Sequence, residues 1–242
     1  MNTIYKTIAF LFVLVIILAC NSEEIITNTT TEIPEPITPK ELNYIALGDS
    51  YTIGQSVCET CKFPEQLIKS LKNLSPNIVF SLKIIAQTGW TTSNLFSEIN
   101  IQNPTSNYDL VTLLIGVNNQ YQNKNFLLYE KEFPELATKA IALAKGDKSN
   151  VIVVSIPDYA YTPFGQRTGN LAKISTEIDH YNAFAKKYCV ENNIEFVEIT
   201  DITRMGLTNP NLVASDGLHP SELAYSKFVE RILPKASVAI KN

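Results

Sequence analysis

Two short segments near opposite ends of the chain carry residue types that can do nucleophilic chemistry together. Gly48-Asp49-Ser50 follows the apolar stretch Tyr44-Ile45-Ala46-Leu47 and sets a serine at the end of a predicted strand. Asp216-Gly217-Leu218-His219-Pro220 sets a carboxylate three residues before a histidine. Serine is a weak nucleophile near neutral pH and needs a base. His219 is the candidate base. In a tight turn Asp216 can reach its Nδ1 and leave Nε2 to face the serine hydroxyl. The other histidine, His180, lies between Asp179 and Tyr181 in a helical pattern, where a solvated residue is expected. Asp216-Gly217 also reads as a β-turn, with Ser221 capping the helix that follows. That local role is compatible with the chemical one.

Acyl transfer through a serine also needs donors for the oxyanion. Gln87-Thr88-Gly89-Trp90 follows a second predicted strand, and a glycine there lets its N–H approach a substrate closely. Gly116-Val117-Asn118-Asn119 follows a third, and Asn118 can donate from its side-chain amide. Each segment alone reads as a turn. Together with Ser50 and His219 they fall where one crevice can gather them. Trp90, Tyr51 and Tyr121 stand beside these segments and either line the crevice or pack its loops.

The elements that must position these residues alternate along the chain. Apolar runs predict strands over 43–47, 78–86, 110–115, 151–156 and 195–199. Helical spacing predicts helices over 63–74, 91–100, 129–145, 171–192 and 221–239. Pro64 falls in a first turn, Gly146 in a cap position, and Pro234 is expected to interrupt the last helix. Five apolar strands separated by helices argue an α/β fold with a parallel sheet covered on both faces. Neither an internal repeat nor a second domain is evident.

Gly48-Asp49-Ser50, Gly89, Gly116-x-Asn118 and Asp216-x-x-His219 resemble, in order, the conserved blocks of the SGNH (GDSL) hydrolase family. The flanks Tyr51-Thr52-Ile53-Gly54, Asn118-Asn119-Gln120-Tyr121 and Ile156-Pro157-Asp158 are similar to bacterial lipoprotein members of the lysophospholipase L1-like esterase kind. The resemblance implies a three-layer flavodoxin-like sandwich around five parallel strands. It implies Ser50 as nucleophile, His219 as base and Asp216 as its orienter. It also implies an oxyanion hole from the Ser50 N–H, the Gly89 N–H and the Asn118 side chain. Asn119 departs from the pattern, since many members carry Asp there. The reading is a serine esterase acting on small-molecule or glycan esters without a metal or organic cofactor. The alternative is a catalytically inactive, ligand-binding surface lipoprotein on the same fold.

Charged residues are 18% of the 242 and the net charge is −4, with no basic run, which disfavours a nucleic-acid partner. Residues 8–18 are continuously apolar, too short to span a membrane comfortably, and fit a signal-peptide core. Ile17-Leu18-Ala19-Cys20 resembles a bacterial lipobox, although a small residue is commoner where Leu18 stands. This implies lipidation at Cys20 and a lipid anchor in the bacterial cell envelope; an uncleaved membrane anchor is the alternative. The expected organisation is a signal peptide over 1–20, a Thr-, Glu- and Pro-rich tether over 21–40, and the catalytic domain over 41–242. Glu23 and Glu24 resemble the surface-export signal of Bacteroidetes lipoproteins or simply solubilise the tether. Cys58 and Cys61 fit a thioredoxin-like motif or a zinc site poorly. They are read as a local disulfide or as two free thiols. Cys189 reads as a buried small hydrophobe.

Overall fold

The computed structural model describes residues 38–241. The expected signal peptide, the lipidation site Cys20 and the tether up to residue 37 lie outside the described residues. Lys40, placed at the end of the tether, already opens the first strand.

Five strands form one parallel sheet: β1 (Lys40–Gly48), β2 (Ile78–Ala86), β3 (Leu110–Leu114), β4 (Val151–Val154) and β5 (Glu195–Val197). Their spatial order is β2-β1-β3-β4-β5. Every residue of β3 and β4 is buried, as continuous apolar strands require when both faces are covered. β2 is an edge strand and exposes alternate residues at its start. Between β1 and β3 the Tyr44 hydroxyl meets Thr112 Oγ1 at 2.8 Å, so this buried polar pair satisfies itself.

Nine α-helices are described: α1 (Ser50–Ile53), α2 (Phe63–Leu74), α3 (Thr92–Gln102), α4 (Val117–Tyr121), α5 (Phe126–Leu143), α6 (Pro163–Gln166), α7 (Leu171–Asn192), α8 (Thr200–Thr203) and α9 (Glu222–Ala239). α2 and α9 pack together on one face of the sheet, and α3, α5 and α7 on the other. α2 begins with Pro64 in its first turn and buries Leu67, Ile68 and Leu71 on one stripe. On the opposite face Tyr129 of α5 sits between Phe133, at 5.2 Å, and Tyr181 of α7, at 4.6 Å between ring centroids.

Three local expectations need correction. α9 passes through Pro234 without interruption. Pro234 and Glu230 are both exposed, so the Glu230 carbonyl that loses its helical donor can turn to water. α5 ends at Leu143 with Ala144 as its cap, and Gly146 acts later, its N–H donating to the Ile141 carbonyl at 2.9 Å. The third, fourth and fifth strands stop before Ile115, Ile156 and Ile199. Those residues stay buried beneath the loops that follow, which is why the apolar runs extend past the hydrogen-bond ladders.

Gly48 pairs with Ala86 of β2 on one side and Leu114 of β3 on the other. A Cβ there would lie 2.1 Å from Thr52 Oγ1 and 2.5 Å from the Leu114 carbonyl oxygen. Gly48→Ala is therefore expected to destabilise the domain by about 3 kcal/mol. Urea unfolding should show a lower midpoint at unchanged m-value. A wild-type midpoint would show that the turn relaxes freely.

Candidate active site

The turn from β1 into α1 is built by Asp49. Its backbone is non-helical, and its carboxylate accepts the Tyr51 N–H at 3.0 Å, so it caps the helix that Ser50 opens. The Ser50 N–H is one of the helix-start amides that lack an intrahelical acceptor. Its side chain lines a cleft of about 230 Å³, together with Gly89, Asn118 and His219. Asp49 is fully buried, and burial pushes its carboxyl up to about 7, against a lowering hydrogen bond from the Tyr51 N–H.

His219 reaches the same cleft from a loop closed on itself. Val213 and Pro220 form an antiparallel bridge, and the Ala214 N–H donates to the His219 carbonyl at 2.7 Å. Asp216 organises the interior of this loop. Its Oδ1 accepts the Leu218 and His219 N–H groups at 2.9 and 3.0 Å. Its Oδ2 lies 2.6 Å from His219 Nδ1. A carboxylate only accepts, so Nδ1 carries a proton, and in the neutral imidazole the lone pair lies on Nε2. Burial acts to raise the Asp216 pKa, but hydrogen bonds from Ser56, His219 and the two amides outweigh it and hold the carboxyl well below its usual range. The Tyr51 ring packs 5.3 Å from the imidazole and limits its rotation. A β-turn forms one residue earlier than expected, over Ala214–Gly217, with the Gly217 N–H donating to the Ala214 carbonyl at 3.0 Å, and the Ser221 cap holds, since Ser221 Oγ accepts the Ala224 N–H at 3.2 Å.

Three donors face the cleft. The Ser50 and Gly89 N–H groups have no acceptor among the described residues. The Asn118 amide donates to the Trp90 carbonyl at 3.0 Å, with Asp49 Oδ2 farther off at 3.5 Å. Both amide hydrogens thus have an acceptor, and the longer contact to Asp49 is the one a ligand would replace. Asn119, beside it, is fully buried and ties the two donor loops together. Its Oδ1 accepts the Thr92 N–H at 2.9 Å, and its Nδ2 donates to Thr92 Oγ1 at 2.6 Å. The Thr92 hydroxyl in turn donates to Glu132 Oε2 at 2.5 Å.

The structure thus gathers Ser50, Gly89, Asn118 and His219 around one cleft, with Asp216 behind the histidine. His180 stays apart: it is exposed on α7 and stacks on the Phe126 ring at 3.9 Å. Tyr51 and Tyr121 line the cleft, whereas Trp90 packs partly buried against the core. Cys58 and Cys61 are joined in a disulfide, and Cys189 is a buried free thiol in α7. Sequence reasoning missed the cleft walls Tyr159, Phe164 and Leu218, and the polar turn Gln55-Ser56. The signal for that turn was its position directly after Gly54 at the end of α1. Among the described residues no cluster of His, Cys, Asp and Glu is placed to hold a metal ion.

The profile of the GDSL-like Lipase/Acylhydrolase family matches residues 46–227. No curated protein matches the chain. A member of the lipolytic protein G-D-S-L family from Veillonella parvula DSM 2008 is similar at TM-score 0.61 and 19% identity, over 79% of this chain and 96% of that one. A variant of an acetyl xylan esterase from Geobacillus stearothermophilus gives TM-score 0.61 and 18% identity, over 83% and 97%. A structure named TesA gives 0.62 and 15%, over 81% and 99%. At these identities the likeness establishes a common fold.

The Asn119 network generates a test. In Asn119→Asp the single hydroxyl proton of Thr92 must serve two carboxylates, Asp at 119 and Glu132. The expected loss is about 2 kcal/mol at neutral pH. Adding Glu132→Gln supplies a new amide donor and should restore most of it, a coupling that a double-mutant cycle in urea measures directly. Additive losses would show that the three side chains do not act as one network.

Proposed function

Because this chain belongs to the GDSL-like lipase/acylhydrolase family and is a hydrolase of ester bonds, we propose that it is an extracytoplasmic serine esterase acting through Ser50, His219 and Asp216. The observation that carries this reading is the shared cleft, with Ser50 and His219 on its wall and Asp216 Oδ2 on His219 Nδ1 at 2.6 Å. An inactive binding protein would have no need of a carboxylate-held histidine in the same cleft as a serine.

In this mechanism Ser50 Oγ attacks the ester carbonyl carbon while its proton passes to His219 Nε2. The carbonyl oxygen takes up the negative charge and is met by the Ser50 N–H, the Gly89 N–H and the Asn118 amide. When the tetrahedral intermediate collapses, the C–O bond to the alcohol breaks. His219 returns the proton to the leaving alcohol. Water then attacks the acyl-enzyme by the same route and releases the acid and Ser50. Asp216 keeps the imidazole in the useful tautomer and stabilises the imidazolium.

The cleft walls suit an ester whose acyl part is small or moderately apolar: Val117, Phe164 and Leu218 line it, with Tyr121 half-exposed at the rim. Acetylated glycans and small esters fit these dimensions, in keeping with the acetyl xylan esterase of like fold. We further propose that Cys20 is lipidated and holds the domain at a membrane of the cell envelope. The motive is the short apolar run ending at Ala19-Cys20. The Cys58–Cys61 disulfide is in keeping with an oxidising compartment.

Ser50→Ala is expected to lower the turnover of a short-chain p-nitrophenyl ester by at least ~10⁴-fold without unfolding the domain. His219→Ala should be comparably damaging and His180→Ala mild. Near-wild-type turnover by Ser50→Ala would sink the mechanism, and the reverse order of the histidines would move the base to α7. For the anchor, mass spectrometry of the mature N-terminus should find Cys20 as the first residue, bearing lipid. An intact Met1, or lipid retained in Cys20→Ser, would overturn it.

A further inference from the structure

The turn after α1 reaches back to the carboxylate behind the histidine. Ser56 Oγ donates to Asp216 Oδ2 at 2.6 Å, the oxygen that His219 Nδ1 also contacts. Asp216 Oδ1 already holds two backbone amides, so Ser56 completes the set of partners around the carboxylate. Ser56 adopts φ +69°, a left-handed conformation that side chains other than glycine seldom take. The hydroxyl is thus presented to Asp216 from a backbone that local preference alone would not choose.

This turn is held from three sides. The Gly54 and Gln55 N–H groups both donate to the Ser50 carbonyl, at 3.1 and 3.0 Å, so it is continuous with the nucleophile's own helix. Gln55 Oε1 accepts Thr88 Oγ1 at 2.7 Å, beside Gly89. Beyond Ser56 the chain is closed by the Cys58–Cys61 disulfide. Gln66 Nε2 then fixes that closure, donating to the Cys61 carbonyl at 2.6 Å and to the Glu222 carbonyl at the start of α9 at 3.1 Å.

We propose that Ser56 is a positioning residue for ester hydrolysis: its hydroxyl fixes the plane of the Asp216 carboxylate and, through it, the imidazole of His219. The inference rests on the catalytic reading of Ser50, His219 and Asp216. The Asp216 side chain is 30% exposed, so without Ser56 water can satisfy Oδ2. Its charge survives, but its orientation is no longer set, and Nε2 spends less time aligned with Ser50. Ser56 is not on the cleft wall, so substrate binding is left alone.

The test measures kcat, KM and melting temperature of the full chain on p-nitrophenyl acetate for wild type, Ser56→Gly, Ser56→Ala and Ser50→Ala. Glycine suits a φ of +69° better than serine does. Ser56→Gly should therefore keep a melting temperature near wild type while kcat falls about 10-fold and KM stays within about twofold. Ser56→Ala, which keeps a side chain at this position, should show the same split. A wild-type kcat in both Ser56 variants, with Ser50→Ala inactive, overturns this inference alone. So does a raised KM with kcat preserved, which would make the turn part of the binding surface. Activity that survives Ser50→Ala overturns the catalytic reading and this inference with it.

Discussion

The register of β1 against its two neighbours is the constraint on which the cleft depends. Gly48 lies opposite Ala86 of β2 and Leu114 of β3, so the three strands end level. Ser50, Gly89 and Asn118 follow those ends within a few residues and emerge at one height. The strand order adds the opening: the chain leaves β1 toward β2 and later crosses to β3, so the loops beyond the ends of β1 and β3 diverge. A slip of one residue in this register would turn every side chain of β1 to the other face and carry Ser50 away from the donors. The tight contact of Gly48 with Thr52 and the Leu114 carbonyl opposes such a slip.

Around this frame, polar groups are fixed mainly by one another. Asp49 caps α1, Asn119 joins the loops that carry Gly89 and Asn118, and Asp216 folds its own loop before it touches His219. Each of these side chains satisfies backbone amides from behind the residues that line the cleft. In the proposed reaction that arrangement would keep the groups that meet the substrate pre-set, so that little reorganisation is required when charge develops. Asp49 is the electrostatic exception. In the proposed reaction a full charge here, so near the Asn118 amide, would oppose an oxyanion, and burial, which pushes the Asp49 carboxyl up to about 7, disfavours that charge.

Much of this was legible in the sequence because its signals are local. β2, α2 and α7 were bounded at the residues observed, since apolar period, Pro64 and the flanking polar residues all change together there. Ser50, Gly89, Asn118, Asp216 and His219 could be named because each sits beside a strand end or in a Gly-containing loop. What could not be read were relations between distant segments. Nothing in Gln55-Ser56 announces that it touches Thr88 and Asp216, and nothing in Asn119 announces Thr92 and Glu132. Those contacts exist only once the sheet has set the loops side by side. Strand ends were overrun for a related reason: residues such as Ile115 and Ile156 are buried by the loops around the cleft, and hydrophobicity alone does not distinguish that burial from pairing.

Ser50 and the base proposed for it, His219, lie far apart in the sequence, and this separation bears on how the molecule is made. A chain synthesised from its N-terminus presents β1 and α1 early, whereas His219 precedes α9, the last helix, which must dock on α2 and the sheet. In the proposed mechanism Ser50 remains, until that docking, a hydroxyl without its proton acceptor. Under the proposed mechanism the maturing polypeptide would be hydrolytically silent until its C-terminal segment has folded. Turnover would then begin only when α9 docks, so the appearance of esterase activity would report the completion of folding.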